Sequence, residues 1–169
     1  MIMRVLLGMS VISATLLASL VSAGADSPTV KWEDVVGILQ AANKVGTGTG
    51  QITGGGQPWT AQSGKAQVDL GTGRLKFSVR GLVLAGGNGI GTRATIDMVK
   101  GTLVCDTDGS AGNSVLVDTP LVPLSPEGDA DFSGDVMLAS VCVTQPDIAF
   151  VIRTSTGAWI ANGSVRTGQ

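Results

Sequence analysis

The chain has 169 residues and a net charge of −2 from 11 basic and 13 acidic side chains, with no histidine and no tyrosine. The missing imidazole excludes Ser-His and Cys-His catalytic couples and His-ligated zinc or copper, and the missing phenol removes another general acid. A mildly acidic balance with no run of Lys or Arg argues against nucleic acid and anionic membrane as partners.

The first element in chain order is an address label. Met1–Arg4 is a short charged start and Val5 to Val21 an almost unbroken apolar run. Ala23-Gly24-Ala25 then supplies the small-x-small pattern that a signal peptidase accepts. The run approaches the length of a short membrane span, but a cleavage pattern follows it, not a positive flank. The expectation is a secretory leader over 1–25 and a mature domain over 26–169 that acts outside the cytoplasm, extracellular or periplasmic, with no membrane span left. Cleavage before Asp26 leaves 144 residues, one domain by size, with a net charge of −3 once Arg4 is gone.

Residues 30–44 read two ways. Trp32, Val35, Val36 and Leu39 fit one helix face, while Val35-Val36-Gly37-Ile38-Leu39 fits a buried strand with a bulge glycine. The strand is preferred, with one short N-terminal helix as the alternative. Gly46 to Gly56 is glycine-rich, with Gln51-Ile52-Thr53 as a strand running into a loop that closes on Gln57-Pro58-Trp59. A hairpin follows: Ala66, Val68 and Leu70 alternate with Lys65, Gln67 and Asp69. Gly71-Thr72-Gly73 turns the chain, and Leu75, Phe77 and Val79 alternate with Lys76 and Ser78. Further strands are expected at 94–105, 114–118, 130–138, 141–144, 147–153 and around 159–161, separated by Asp-, Pro- and Gly-marked turns.

Only Glu33 and Glu127 stand against eleven Asp, and 25 glycines accompany frequent Thr and Val. That composition disfavours helix and suits short strands joined by tight turns. Breaks every dozen residues or so point to an all-β fold, an antiparallel β-sandwich or partly closed barrel. Three Trp, three Phe and no Tyr are too few for the aromatic girdles of an outer-membrane barrel.

Cys105 and Cys142 both lie in apolar, strand-like surroundings. In an exported chain an even pair argues for one intramolecular disulfide, with free thiols or an intermolecular bridge as the alternatives.

Asp106-Thr107-Asp108-Gly109 offers hard oxygen ligands of the kind calcium takes, with Asp129 as a further donor. However, Ser110, Ala111 and Val117 break the EF-hand pattern, and a polar turn accounts for the same residues. No other cofactor is indicated. Trp32, Trp59 and Trp159 are candidates for stacking on sugar rings, against packing in the core. Neither glycine tract fits GxGxxG, and Ser63-Gly64-Lys65 lacks the rest of a P-loop. Asn162-Gly163-Ser164 is a formal glycosylation sequon. No catalytic constellation is visible, so the expected function is non-catalytic: binding or structural, with a surface glycan or a protein as partner. The rival is a carboxylate-dependent extracellular hydrolase, which would need Asp residues crowded in one cleft with raised pKa values.

Five segments occur in a familiar order: Gly55-Gly56-Gln57-Pro58-Trp59, Val79-Arg80-Gly81-Leu82-Val83, Gly101-Thr102-Leu103-Val104-Cys105, Val122 to Ala130, and Trp159-Ile160-Ala161-Asn162-Gly163. From about Gly46 onward the chain resembles small secreted bacterial β-domain proteins of unassigned function, with their glycine-Pro-Trp turn, VRGLV strand, two cysteines and IA-x-G ending. The resemblance implies a bacterial exported β-domain and transfers no site residues.

Overall fold

The computed structural model describes residues 28–145 and 147–167, so the expected leader and its cleavage point lie outside the described residues. In chain order the elements are β1 (Thr29–Gly37), β2 (Lys44–Val45), β3 (Ile52–Thr53), β4 (Trp59–Thr60), β5 (Ser63–Asp69), β6 (Arg74–Arg80) and β7 (Val83–Leu84). There follow β8 (Met98–Cys105), β9 (Val115–Asp118), β10 (Val122–Pro123), β11 (Ala130–Asp135), α1 (Ser140–Thr144), β12 (Ile148–Thr154) and β13 (Trp159–Thr167). Nine strands form one antiparallel sheet in the order β10-β8-β12-β13-β1-β5-β6-β11, with β9 also on β8, and the sheet curls into a half-barrel. Two small ribbons, β2–β3 and β4–β7, accompany it.

The β5–β6 hairpin forms where its alternation places it. Ala66, Val68, Leu75, Phe77 and Val79 are buried, whereas Lys65 and Lys76 are exposed. The Asp69 carboxylate closes the turn by accepting the amides of Gly71 and Thr72, both at 2.9 Å, and Gly73 adopts φ +75°. Burying one face of each strand is what curls the sheet, because the dry faces must meet one another. Phe150 on β12 joins the two walls, 5.7 Å from the Trp32 ring and 5.6 Å from the Phe77 ring. Each of these rings, once buried, contributes about 2–3 kcal/mol of hydrophobic stabilisation.

The Cys105–Cys142 disulfide is formed. Residues 29–37 are strand and not helix: Val30, Trp32 and Val35 are buried between β13 and β5. Residues 140–144 are the reverse case, a short helix where β-branched composition suggests a strand. There the disulfide fixes Cys142, fully buried, beside the end of β8, and the connection to β12 leaves room for one helical turn only. The strand expected from 94 begins at Met98, and Ala94 has φ +50°. The one expected to 138 ends at Asp135. No described helix is long and apolar enough to cross a membrane.

The familiar segments interlock. Gly81 donates its N–H to the Asp129 carboxylate at 2.9 Å and Leu82 donates to the Gly128 carbonyl at 2.8 Å, tying the VRGLV segment to the turn before β11. Gly128 has φ +88°, and a Cβ there would stand 2.5 Å from the Leu82 backbone, so the approach requires glycine. Gly55 donates to the Trp159 carbonyl at 2.9 Å, joining the glycine-Pro-Trp turn to the start of β13.

Candidate functional site

The three tryptophans do not form a surface. Trp32, Trp59 and Trp159 are 3%, 4% and 4% exposed, and the Trp159 Nε1–H donates to the Asn43 carbonyl at 3.0 Å. They plug the interior, so stacking on an external sugar ring is not open to them. Asn162, the sequon residue, sits half-buried within β13, paired with both neighbouring strands.

The acidic loop after β8 is assembled by register. β8 and β12 pair with Cys105 opposite Ile148, which sets Asp106 against Asp147 one step further on. One oxygen from each of Asp106, Asp108 and Asp147 comes within 4.8 Å of the others. Asp129 does not join them, because the turn at Ser125–Asp129 carries it to Gly81. The three carboxylates are engaged by the loop itself. Asp106, fully buried at φ +58°, accepts from the Ser110 hydroxyl at 3.1 Å and from the Ala111 amide at 3.1 Å. Asp147 accepts the Asp108 amide at 2.9 Å and the Thr107 hydroxyl at 3.2 Å. The Ser110 amide donates to Asp108 at 2.9 Å, and that bond above all holds the Asp108 carboxyl below its ordinary pKa. The donor set is hard oxygen, as calcium prefers, and these bonds close the loop around itself.

A second site lies on the solvent face of the half-barrel. An open groove of about 520 Å³ runs over β1, β5, β6 and β11, against about 270 and 360 Å³ for two other grooves. Its geometry follows from the pleat, since alternate residues point away from the buried Trp32–Ala66–Phe77 row. Lys31 is opposite Gln67, Gln67 opposite Lys76, and Lys76 opposite Ser133. In the adjoining row Lys65 is opposite Ser78, and Ser78 opposite Asp131. Three lysines thus flank Gln67 on one face of the sheet.

The charges in this groove are unequally engaged. Glu33 accepts the Thr167 hydroxyl at 2.8 Å. Asp131 is paired with Arg80 at 2.9 Å, and the bond from Arg80 holds its carboxyl below the usual range. Among the described residues, ion pairs join Arg74 to Asp135, Arg80 to Asp131, and both Lys100 and Arg153 to Asp118. None of them uses Lys31, Lys65 or Lys76.

Sequence reasoning missed this groove. Its signal was the wet face of the hairpin, Lys65, Gln67, Lys76 and Ser78, but only the β1–β5 and β6–β11 registers add Lys31, Ser133 and Asp131. Comparison with family models, with curated proteins and with solved structures finds no match for the chain.

Proposed function

We propose that the protein is an exported, non-catalytic β-domain that works by binding, with the groove over β1, β5, β6 and β11 as its binding face. The apolar run and small-x-small pattern before Asp26 support export. The Cys105–Cys142 disulfide suits an oxidising compartment. The resemblance to small secreted bacterial β-domains points the same way.

The observation that carries binding over catalysis is the state of the carboxylates. A glycosidase needs one carboxyl held protonated near neutral pH by an upward shift. In the groove, Asp131 is shifted downward by Arg80. Elsewhere hydrogen bonds from the Thr72 amide, the Ser110 amide and, against the upward push of partial burial, the Lys100 amine hold the carboxyls of Asp69, Asp108 and Asp118 below their ordinary range too. These are the signatures of carboxylates that accept structural hydrogen bonds.

The test pairs two readouts on protein produced from the full chain. N-terminal sequencing of the exported material is expected to begin at Asp26. Incubation with a panel of soluble polysaccharides is expected to give binding by calorimetry without release of reducing ends. Retention of the intact leader on cytosolic protein, or turnover of a bound polysaccharide, would overturn the reading.

A further inference from the structure

We infer that the groove recognises an acidic polysaccharide, a sugar polymer bearing carboxylate or sulfate groups, through Lys31, Lys65 and Lys76 around Gln67. This rests on the groove being the binding face. The chain as a whole is acidic and has only five lysines. Three of them stand on this one patch, and the fourth and fifth, Lys44 and Lys100, lie on other strands. Lys31 and Lys76 flank Gln67 from the two neighbouring strands, which puts their backbones about 10 Å apart, with Lys65 about 7 Å along β5 from Gln67. Like charges gathered this closely repel one another, and the nearby acids do not fully relieve them: Asp131 is paired with Arg80, and Glu33 offers one negative charge against three amines. An anion laid across Gln67 would do so.

The remaining groups select the kind of anion. Gln67, Ser78 and Ser133 offer an amide and two hydroxyls, which suit sugar hydroxyl groups between the charged ones. Nucleic acid is disfavoured because the patch offers bases no fully exposed ring: Trp32 and Phe77 are both buried, at 3%, and the half-buried Phe132 is stacked against Phe77. An extended acidic peptide would use a free strand edge or an apolar pocket for its side chains. Here β1, β5 and β6 are each paired on both sides, so the main-chain groups beneath the three lysines are taken, and the one open edge of the groove, on β11, lies a strand beyond Lys76. A bilayer would need apolar side chains exposed on this face, but the exposed ones include Lys31, Lys65 and Lys76, while Trp32, Ala66 and Phe77 between them are buried.

The test measures affinity of the full-chain protein for polygalacturonate and for dextran sulfate, with neutral dextran, poly-glutamate and a single-stranded DNA oligomer alongside. Binding to one or both acidic polysaccharides is expected, weakening as salt rises. In the K31Q/K65Q/K76Q variant, affinity is expected to fall by about tenfold or more, with the circular dichroism spectrum and unfolding midpoint retained, while K44Q binds as the parent does. Undiminished binding by the triple variant would overturn the inference, as would tighter binding to poly-glutamate or DNA, or no binding to either acidic polymer. Equal binding of neutral dextran, lost in Q67A, would overturn the anion assignment yet leave the groove as the binding face. Release of reducing ends from polygalacturonate would instead sink the non-catalytic reading beneath it.

Discussion

Gly101 on β8 and Phe77 on β6 meet across the inside of the half-barrel, although four strands separate theirs in the sheet: a Cβ on Gly101 would stand 2.8 Å from the Phe77 ring and 3.0 Å from that of Phe150. The missing methyl is what lets the two walls close. Gly101→Ala is therefore expected to destabilise by about 1–3 kcal/mol through overpacking, even though alanine is the better strand residue. A lowered urea midpoint would show this; an unchanged or raised midpoint would mean the walls have slack there.

Burial of Trp32, Trp59 and Trp159 has a spectroscopic consequence. Native emission is expected to be blue-shifted and weakly quenched by iodide, moving red only on unfolding. Trp159→Phe removes the indole bond to the Asn43 carbonyl, which also accepts from Gly54. The cost of that lost bond is about 1 kcal/mol. Red native emission with strong iodide quenching would return the tryptophans to the surface.

Periodicity made the hairpin legible, since Lys65-Ala66-Gln67-Val68 and Leu75-Lys76-Phe77-Ser78 alternate cleanly and need only a local turn. The disulfide was legible from cysteine count and context. Register between distant strands was not: nothing near Asp106 in the sequence announces Asp147, and only the β8–β12 pairing brings them together. Asp129 failed as a candidate ligand for the same reason, because its role is set by the Gly81 amide across another strand pair. The segment 140–144 misled because propensity is local while the position of Cys142 is set by Cys105. The groove shares that origin, being one wet face divided among four strands.

The disulfide closes a loop with a sequence separation of 37 residues, worth about 3–4 kcal/mol in the chain-entropy model. The C105A/C142A double variant is expected to lose that much stability. It is also expected to loosen the loop that Asp147 braces, read as faster hydrogen exchange at the Thr107 and Asp108 amides, which bond to Asp147. Unchanged exchange there would detach the acidic loop from the cross-link.

Asp106 is a buried carboxylate in a left-handed conformation, and it holds Ser110 and Ala111. Asp106→Ala leaves the Ala111 amide without its acceptor and is expected to cost about 1–3 kcal/mol. Asp106→Gly relaxes the backbone at φ +58° yet loses the same bonds, so it separates strain from hydrogen bonding. Because the loop supplies its own donors to all three carboxylates, millimolar calcium or EDTA is expected to leave the unfolding midpoint where it is. A midpoint that rises with calcium and falls with EDTA would show that an ion displaces those bonds.

Asp118 on β9 binds three donors: the Thr102 hydroxyl at 2.6 Å, Arg153 Nη1 at 3.1 Å and the Lys100 amine. Partial burial pushes its pKa up. The bonds from Lys100 and Thr102, with the charges of Arg153 and Lys100, push it down by more, so the carboxyl lies below its ordinary 3.8. The unfolded chain then takes up a proton before the folded one does. Stability from this group is complete above about pH 5 and is lost as pH falls through the lowered folded value. Asp131 and Asp69 carry shifts of the same sign, so the protein is expected to weaken progressively on acidification. Asp118→Asn should cost about 1 kcal/mol at neutral pH, a figure held down because the side chain is 35% exposed and screened. The variant should also flatten part of the acid slope. If its stability ran parallel to that of the parent between pH 5 and 3, the Lys100–Asp118–Arg153 cluster would not be what sets the acid sensitivity.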